Sequence, residues 1–162
     1  MSLTKANIKK DYPLPVYNYR VSVDGNDMSF SEISGLSIEY EKVEYRHGFS
    51  WLMGEQVIRA RRNPVNLTLK RGIVKSRDQL YNWLDAGNKI DLKVDLCDEE
   101  GKPAVSWHVL SALPIKMELP SFNASTNEVA LESLALIAHQ VKLVKEGEPA
   151  ALNFDQLNAL LG

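Results

Sequence analysis

Apolar and polar positions alternate with a period of two over much of the chain, the pattern of strands with one buried face. Tyr17, Tyr19, Val21 and Val23 alternate with Asn18, Arg20, Ser22 and Asp24, and Asp24-Gly25 is a tight-turn signal. Met28 and Phe30 restart a strand, Ser34-Gly35 interrupts it, and Leu36, Ile38 and Tyr40 alternate on. At 42–45 the apolar set moves to odd positions, Val43 and Tyr45. That one-residue phase change predicts a bulge or a change of partner surface. Val65, Leu67 and Leu69 form a further strand that Gly72 closes. Ile90, Leu92, Val94 and Leu96 pair by pattern with Val105, Trp107 and Val109, so 89–110 reads as a hairpin around the DEEGK turn.

One helix interrupts this series. Ser76-Arg77-Asp78-Gln79 fits a capping box, Leu80, Trp83 and Leu84 share a face, and Gly87 suits the left-handed position past the end, giving about three turns. Residues 111–127 read as loop, with Pro114, Pro120 and a polar run. Residues 128–145 fit both patterns: Ala130, Leu134, Ile137, Ala138 and Val141 make a helical stripe, while Val129/Leu131 and Val141/Leu143 alternate as strand. Residues 1–12 read as a polar arm, and Phe154, Leu157 and Leu160/Leu161 as a short amphipathic helix in a C-terminal extension, 146–162. The domain proper is 13–145, and its expected class is mainly β: two packed antiparallel sheets, a sandwich or barrel, with one short flanking helix.

The stretch EYRHGFSWLMGEQVIRARRNP, 44–64, breaks the pattern. It lies between two strands but is far longer than a turn. It carries Arg46, Arg59, Arg61 and Arg62 against one internal acid, Glu55, with Phe49, Trp51, Leu52 and Met53 among them. Arginine with interleaved aromatics suits nucleic-acid backbone contact and base stacking. The same types are enriched at protein interfaces, and a limb carrying them is costly to leave exposed on a monomer. Protein contact, and self-assembly in particular, is the favoured reading of the segment 46–63.

Composition narrows the alternatives. The 162 residues are 44% apolar and 25% charged, with a net charge of −2, so bulk electrostatics does not make this a polyanion binder. No apolar run approaches the ~20 residues that span a bilayer, and the N-terminus carries no apolar signal-peptide core. A single cysteine, Cys97, excludes an internal disulfide and fits assembly in a reducing cytoplasm. No catalytic, phosphate-binding or metal motif occurs, and no cofactor is expected. His47, His108 and His139 are far apart and read as surface or packing histidines; Asp24–Asp27 and Asp98–Gly101 read as hairpin turns rather than calcium loops. A hydrolase with a scattered site would need a pocket gathering His108 or His139 with acids. A monomeric β-sandwich module binding a small ligand or nucleic acid is the alternative of another class.

An ordered set of short motifs adds a family. Tyr12-Pro13, Ser34-Gly35-Leu36, Glu44-Tyr45-Arg46, Leu67-Thr68-Leu69-Lys70-Arg71-Gly72, Tyr81-Asn82-Trp83, Ala112-Leu113-Pro114 and Asn127-Glu128-Val129-Ala130 follow one another with matching spacing over about 12–145. In this the chain resembles the tail tube proteins of contractile phages and the inner tube proteins of extracellular contractile injection systems, relatives of the type VI secretion Hcp tube. The resemblance implies two packed sheets with a flanking helix, hexameric rings stacked into a rigid tube, and a strand over 128–145. It implies a structural protein rather than an enzyme. The partners would be sheath, baseplate or spike and terminator proteins, with cargo protein or DNA passing the lumen and no membrane anchor. Assembly would occur in the cytoplasm, and the final place would be a phage tail or extracellular particle. The excursion, with Arg46, Phe49, Trp51, Leu52, Met53, Arg59, Arg61 and Arg62, takes the position that contacts neighbouring subunits and rings, and the arginines of 59–62 are expected to pair with acids there. The extension 146–162 passes the usual end of a tube subunit, which leaves a specialised initiator ring at the baseplate as a variant of the same reading.

Overall fold

A computed structural model of the chain describes residues 12–75 and 78–144, without the side chains of Ser50 and Met53. The expected N-terminal arm up to residue 11, the C-terminal extension and its helix, and Ser76 of the capping box lie outside the described residues. Ten antiparallel strands are present among them: β1 (Tyr19–Val23), β2 (Asn26–Met28), β3 (Glu32–Ser34), β4 (Tyr40–Tyr45), β5 (Gln56–Arg62), β6 (Val65–Gly72), β7 (Ile90–Cys97), β8 (Pro103–Glu118), β9 (Leu131–Ala138) and β10 (Gln140–Leu143). One helical turn, α1 (Ser50–Met53), and one helix, α2 (Gln79–Ala86), complete them.

Two sheets share β8. Its first half lies between β7 and β10 in the order β2-β1-β7-β8-β10, and its second half borders β9 in the order β8-β9-β6-β3. The period-two alternation sets which face is buried. Val21, Val23, Leu92, Val109 and Val141 of the first sheet meet Val65, Leu67, Leu69, Leu134, Leu136 and Ala138 of the second. Leu80 and Trp83 of α2 join the same core. Each valine or leucine among them, fully buried, contributes about 1.5–3 kcal/mol of transfer free energy. Asp24 (φ 49°) and Gly25 (φ 77°) form the left-handed pair that a two-residue hairpin between β1 and β2 requires.

The second half of β8 replaces part of the loop expected over 111–127. At Ser111 (φ 53°) the strand bends from one sheet to the other, and the Asp91 carboxylate accepts the Ser111 N–H at 2.7 Å, so the bend leaves that amide satisfied. Pro114 is tolerated because this half has β9 on one side only, beside a register irregularity between Pro114 and Lys116. Of the segment read both ways, Leu131–Ala138 and Gln140–Leu143 are strand, not helix. Helix α2 is eight residues long, shorter than the three turns expected, and Asp78 is its N-cap, without a side-chain capping bond. Gly87 (φ 64°) ends it in the left-handed conformation, its N–H donating to the Trp83 carbonyl at 3.0 Å.

Candidate assembly surface

The excursion expected as a long loop over 46–63 is largely a β-ribbon. β5 occupies Gln56–Arg62 and pairs with β4, Val43 opposite Ile58, Glu44 opposite Val57 and Tyr45 opposite Gln56. A register shift lies between Tyr40 and Lys42, where the sequence changes phase. The two strands pack chiefly on each other and stand off the two main sheets. A lone two-stranded ribbon is marginal in water. This one also exposes apolar side chains on both faces: Val43, Tyr45 and Ile58 on one, Val57 on the other, and Phe49, Trp51 and Leu52 at the tip. Trp51 is 79% exposed. Val43, Tyr45, Val57 and Ile58 were not singled out in the sequence as contact residues; the alternation of Val43 and Tyr45 with Lys42 and Glu44 was the available signal, and Val57 and Ile58, adjacent in the chain, gave none.

The tip is ordered by its own contacts. Arg46 and Glu55 form an ion pair at 2.5 Å across the neck of the loop. The His47 ring accepts the Phe49 N–H at 3.1 Å and lies 6.0 Å from Tyr45 and 6.4 Å from Phe49. Leu52 N–H donates to the Phe49 carbonyl at 2.9 Å, which starts the α1 turn. A limb held in shape before docking loses less conformational entropy on binding.

The remaining arginines are engaged along the ribbon and at its root. Arg61 pairs with Glu41 at 3.0 Å, and the Arg59 guanidinium lies 4.2 Å over the Tyr40 ring, a cation–π contact. Arg62 donates to the Gln140 side chain at 3.0 Å and to the Val141 carbonyl at 2.6 Å, tying the ribbon to β10. Of the three arginines expected to meet acids, Arg61 does so within its own chain, Arg59 stacks on an aromatic ring, and Arg62 clamps the ribbon to the body. Of Met53 only its place in α1 is described.

Among the described residues, the three histidines are not gathered with acids in one pocket. His108 lies on β8 opposite Lys93 and Lys142, His139 is exposed between β9 and β10, and His47 is in the ribbon. Two hollows of about 220 and 380 Å³ flank β2, lined by residues such as Tyr17, Arg20, Asp27 and Arg71, without a histidine. Among the described residues there is no cluster of three metal-ligating side chains, and no helix is long and apolar enough to cross a membrane. Asp98 uses its carboxylate to accept the Glu100 and Lys102 N–H groups at 2.9 Å each, as a turn residue. Cys97 is buried in the strand pair β7–β8.

The family described as T4-like virus tail tube protein gp19 matches residues 15–142. No curated protein sequence matches significantly. A chain of the PVC extracellular contractile injection system, in a sheath–tube complex in the extended state, superposes with a TM-score of 0.80 at 29% identity, over 88% of this chain and 99% of that one. A chain of the anti-feeding prophage tube-terminating cap gives 0.79 at 30% identity, over 90% and 99%. Hcp1 from Flavobacterium johnsoniae gives 0.52 at 12% identity, over 78% and 94%, a likeness of fold.

Proposed function

The chain belongs to the T4-like virus tail tube protein family, and from that premise we propose that it is the protomer of a rigid inner tube in a contractile injection particle, six copies to a ring and ring upon ring around a lumen. Its role is structural, and no catalytic step is assigned to it. The observation that carries this reading is the β4–β5 ribbon, which exposes apolar side chains on both faces and packs on little but itself. Identical copies would cover it. Cyclic closure satisfies the lateral contacts, and head-to-tail stacking stays open and extends the tube.

Within that reading Phe49, Trp51 and Leu52 are the anchors at the contact and Met53 lies beside them, while Arg46, Arg59, Arg61 and Arg62 hold the ribbon in the geometry that presents them. Aromatic and arginine side chains dominate binding energy where they are desolvated at the centre of an interface. Sheath, baseplate and terminator proteins would be the partners, with cargo protein or DNA in the bore. Assembly would take place in the cytoplasm of the producing cell before the particle leaves it.

The full chain, purified and examined by sedimentation and negative-stain microscopy, is expected to form rings or tubes. A compact species of 18.2 kDa at high concentration would overturn the proposal.

A further inference from the structure

Among the described residues, thirteen of the twenty exposed large apolar side chains fall in two groups. One group is the ribbon, rooted where Arg62 meets β10, beside the Val65↔Ala138 end of the β6–β9 pair. A second group lies at the other end of that pair, where Gly72 faces Leu131 and the Ile73 N–H donates to the Ala130 carbonyl at 3.0 Å. Ile73, Val74, Leu119, Phe122, Val129 and Leu131 are all exposed there, Phe122 by 88% and Val129 by 78%. The segment 119–130 belongs to this end because it joins Glu118, opposite Ser133, to Leu131. Eight residues of β6 separate the two groups, about 23 Å at 3.3 Å per step.

We propose that the far-end patch is the seat for the β4–β5 ribbon of the next copy. This rests on the tube reading above and names the partner surface of the same limb. The argument is one of symmetry. A ribbon that met another ribbon would make a two-fold contact and stop at a pair. An open stack needs two unlike surfaces on each copy, pointing opposite ways. The chain has two unlike surfaces, both rich in apolar side chains, rooted at opposite ends of the β6–β9 strand pair. The ribbon's Arg46 and Arg61 already meet acids of their own chain, so it does not require an acidic seat, and the far end offers an apolar one.

The test uses the full chain in two variants: Val57→Glu/Ile58→Glu in the ribbon, and Val74→Glu/Val129→Glu at the far end. These sites are exposed, so strand content by circular dichroism is expected to match the parent; Val74→Ser/Val129→Ser serves in place of the far-end pair should that unfold. Each variant alone is expected to show stacking reduced at least about tenfold, since a carboxylate would be buried without a partner. Mixed in equal amounts they should form short stacks, the intact ribbons of one seated on the intact far ends of the other, and no long tubes. Normal stacking by the far-end variant with loss in the ribbon variant would overturn this inference and leave the tube reading standing. Loss in both with no mixed species would also overturn it. Normal stacking by both would overturn the ribbon's role as well.

Discussion

Arg71 and Glu132 face each other across the β6–β9 pair as a buried ion pair, their side chains 6% and 2% exposed. Tyr81 of α2 donates its hydroxyl to the second carboxylate oxygen of Glu132 at 2.6 Å. The helix is thus pinned to the sheet by a charge pair at the edge of the core. Removing one partner leaves the other charge buried, which costs about 3–5 kcal/mol. Arg71→Ala and Glu132→Ala should each lower the unfolding midpoint by about 10 °C in thermal scans. The double change Arg71→Met/Glu132→Leu should lie closer to the parent than either single variant, because no lone charge remains.

Tyr81 gives this triad a pH signature. The hydrogen bond to Glu132, then burial, then the Glu132 charge raise the phenol above its ordinary value of 10. A group whose folded pKa is raised stabilises the fold below its unfolded pKa and loses that contribution as pH rises through the folded one. The parent should therefore lose stability above pH 10. Tyr81→Phe should cost about 1.5–3 kcal/mol at neutral pH, the worth of a hydrogen bond to a charged group. Its denaturation midpoint should also fall less steeply than the parent's above pH 10. Equal slopes in the two proteins would count against the assignment.

The triad could have been read from the sequence by following phase. Val65, Leu67 and Leu69 put Arg71 on the buried face, and Leu134 and Leu136 do the same for Glu132. A strand with one buried face, such as β6, was legible for the same reason: burial imposes alternation. β5 was not, because both of its faces are exposed over most of its length and nothing selects a period. The second half of β8 was hidden by Pro114, which signals loop unless the strand is known to lie at an edge. Residues 128–145 fitted helix and strand equally; family resemblance separated them. The composition of the ribbon was plain, but its shape depends on the Arg46–Glu55 closure and the Arg62 clamp, which spacing does not reveal.

Gly35 offers a sharper test of the turn out of β3. Its φ is 88°, and an added Cβ would lie 2.2 Å from the Asn66 carbonyl oxygen. That oxygen belongs to β6, which is held between β3 and β9. Gly35→Ala should therefore destabilise the fold by about 3 kcal/mol or prevent soluble expression. Gly25→Ala is the control, since its Cβ would meet nothing within 4 Å although its φ is also positive. It should cost about 1 kcal/mol in denaturant titration.

Arg61 and Arg62 are adjacent, yet their reversal should act through different routes. Arg61 is 84% exposed in its pair with Glu41, so Arg61→Glu should change protomer stability by under about 1 kcal/mol. Its effect is expected in tube length and salt resistance, because the reversed charge repels Glu41 and splays the ribbon. Arg62 is partly buried at the ribbon root and bonds Gln140 and the Val141 carbonyl. Arg62→Glu removes both donors and places a carboxylate against a carbonyl oxygen. Amide exchange at β4, β5 and β10 should then accelerate together, with stacking lost as a consequence. Faster exchange at the ribbon root in Arg61→Glu, or none in Arg62→Glu, would contradict this division of labour. Unchanged tube length and salt resistance in both would argue against the ribbon as the stacking limb.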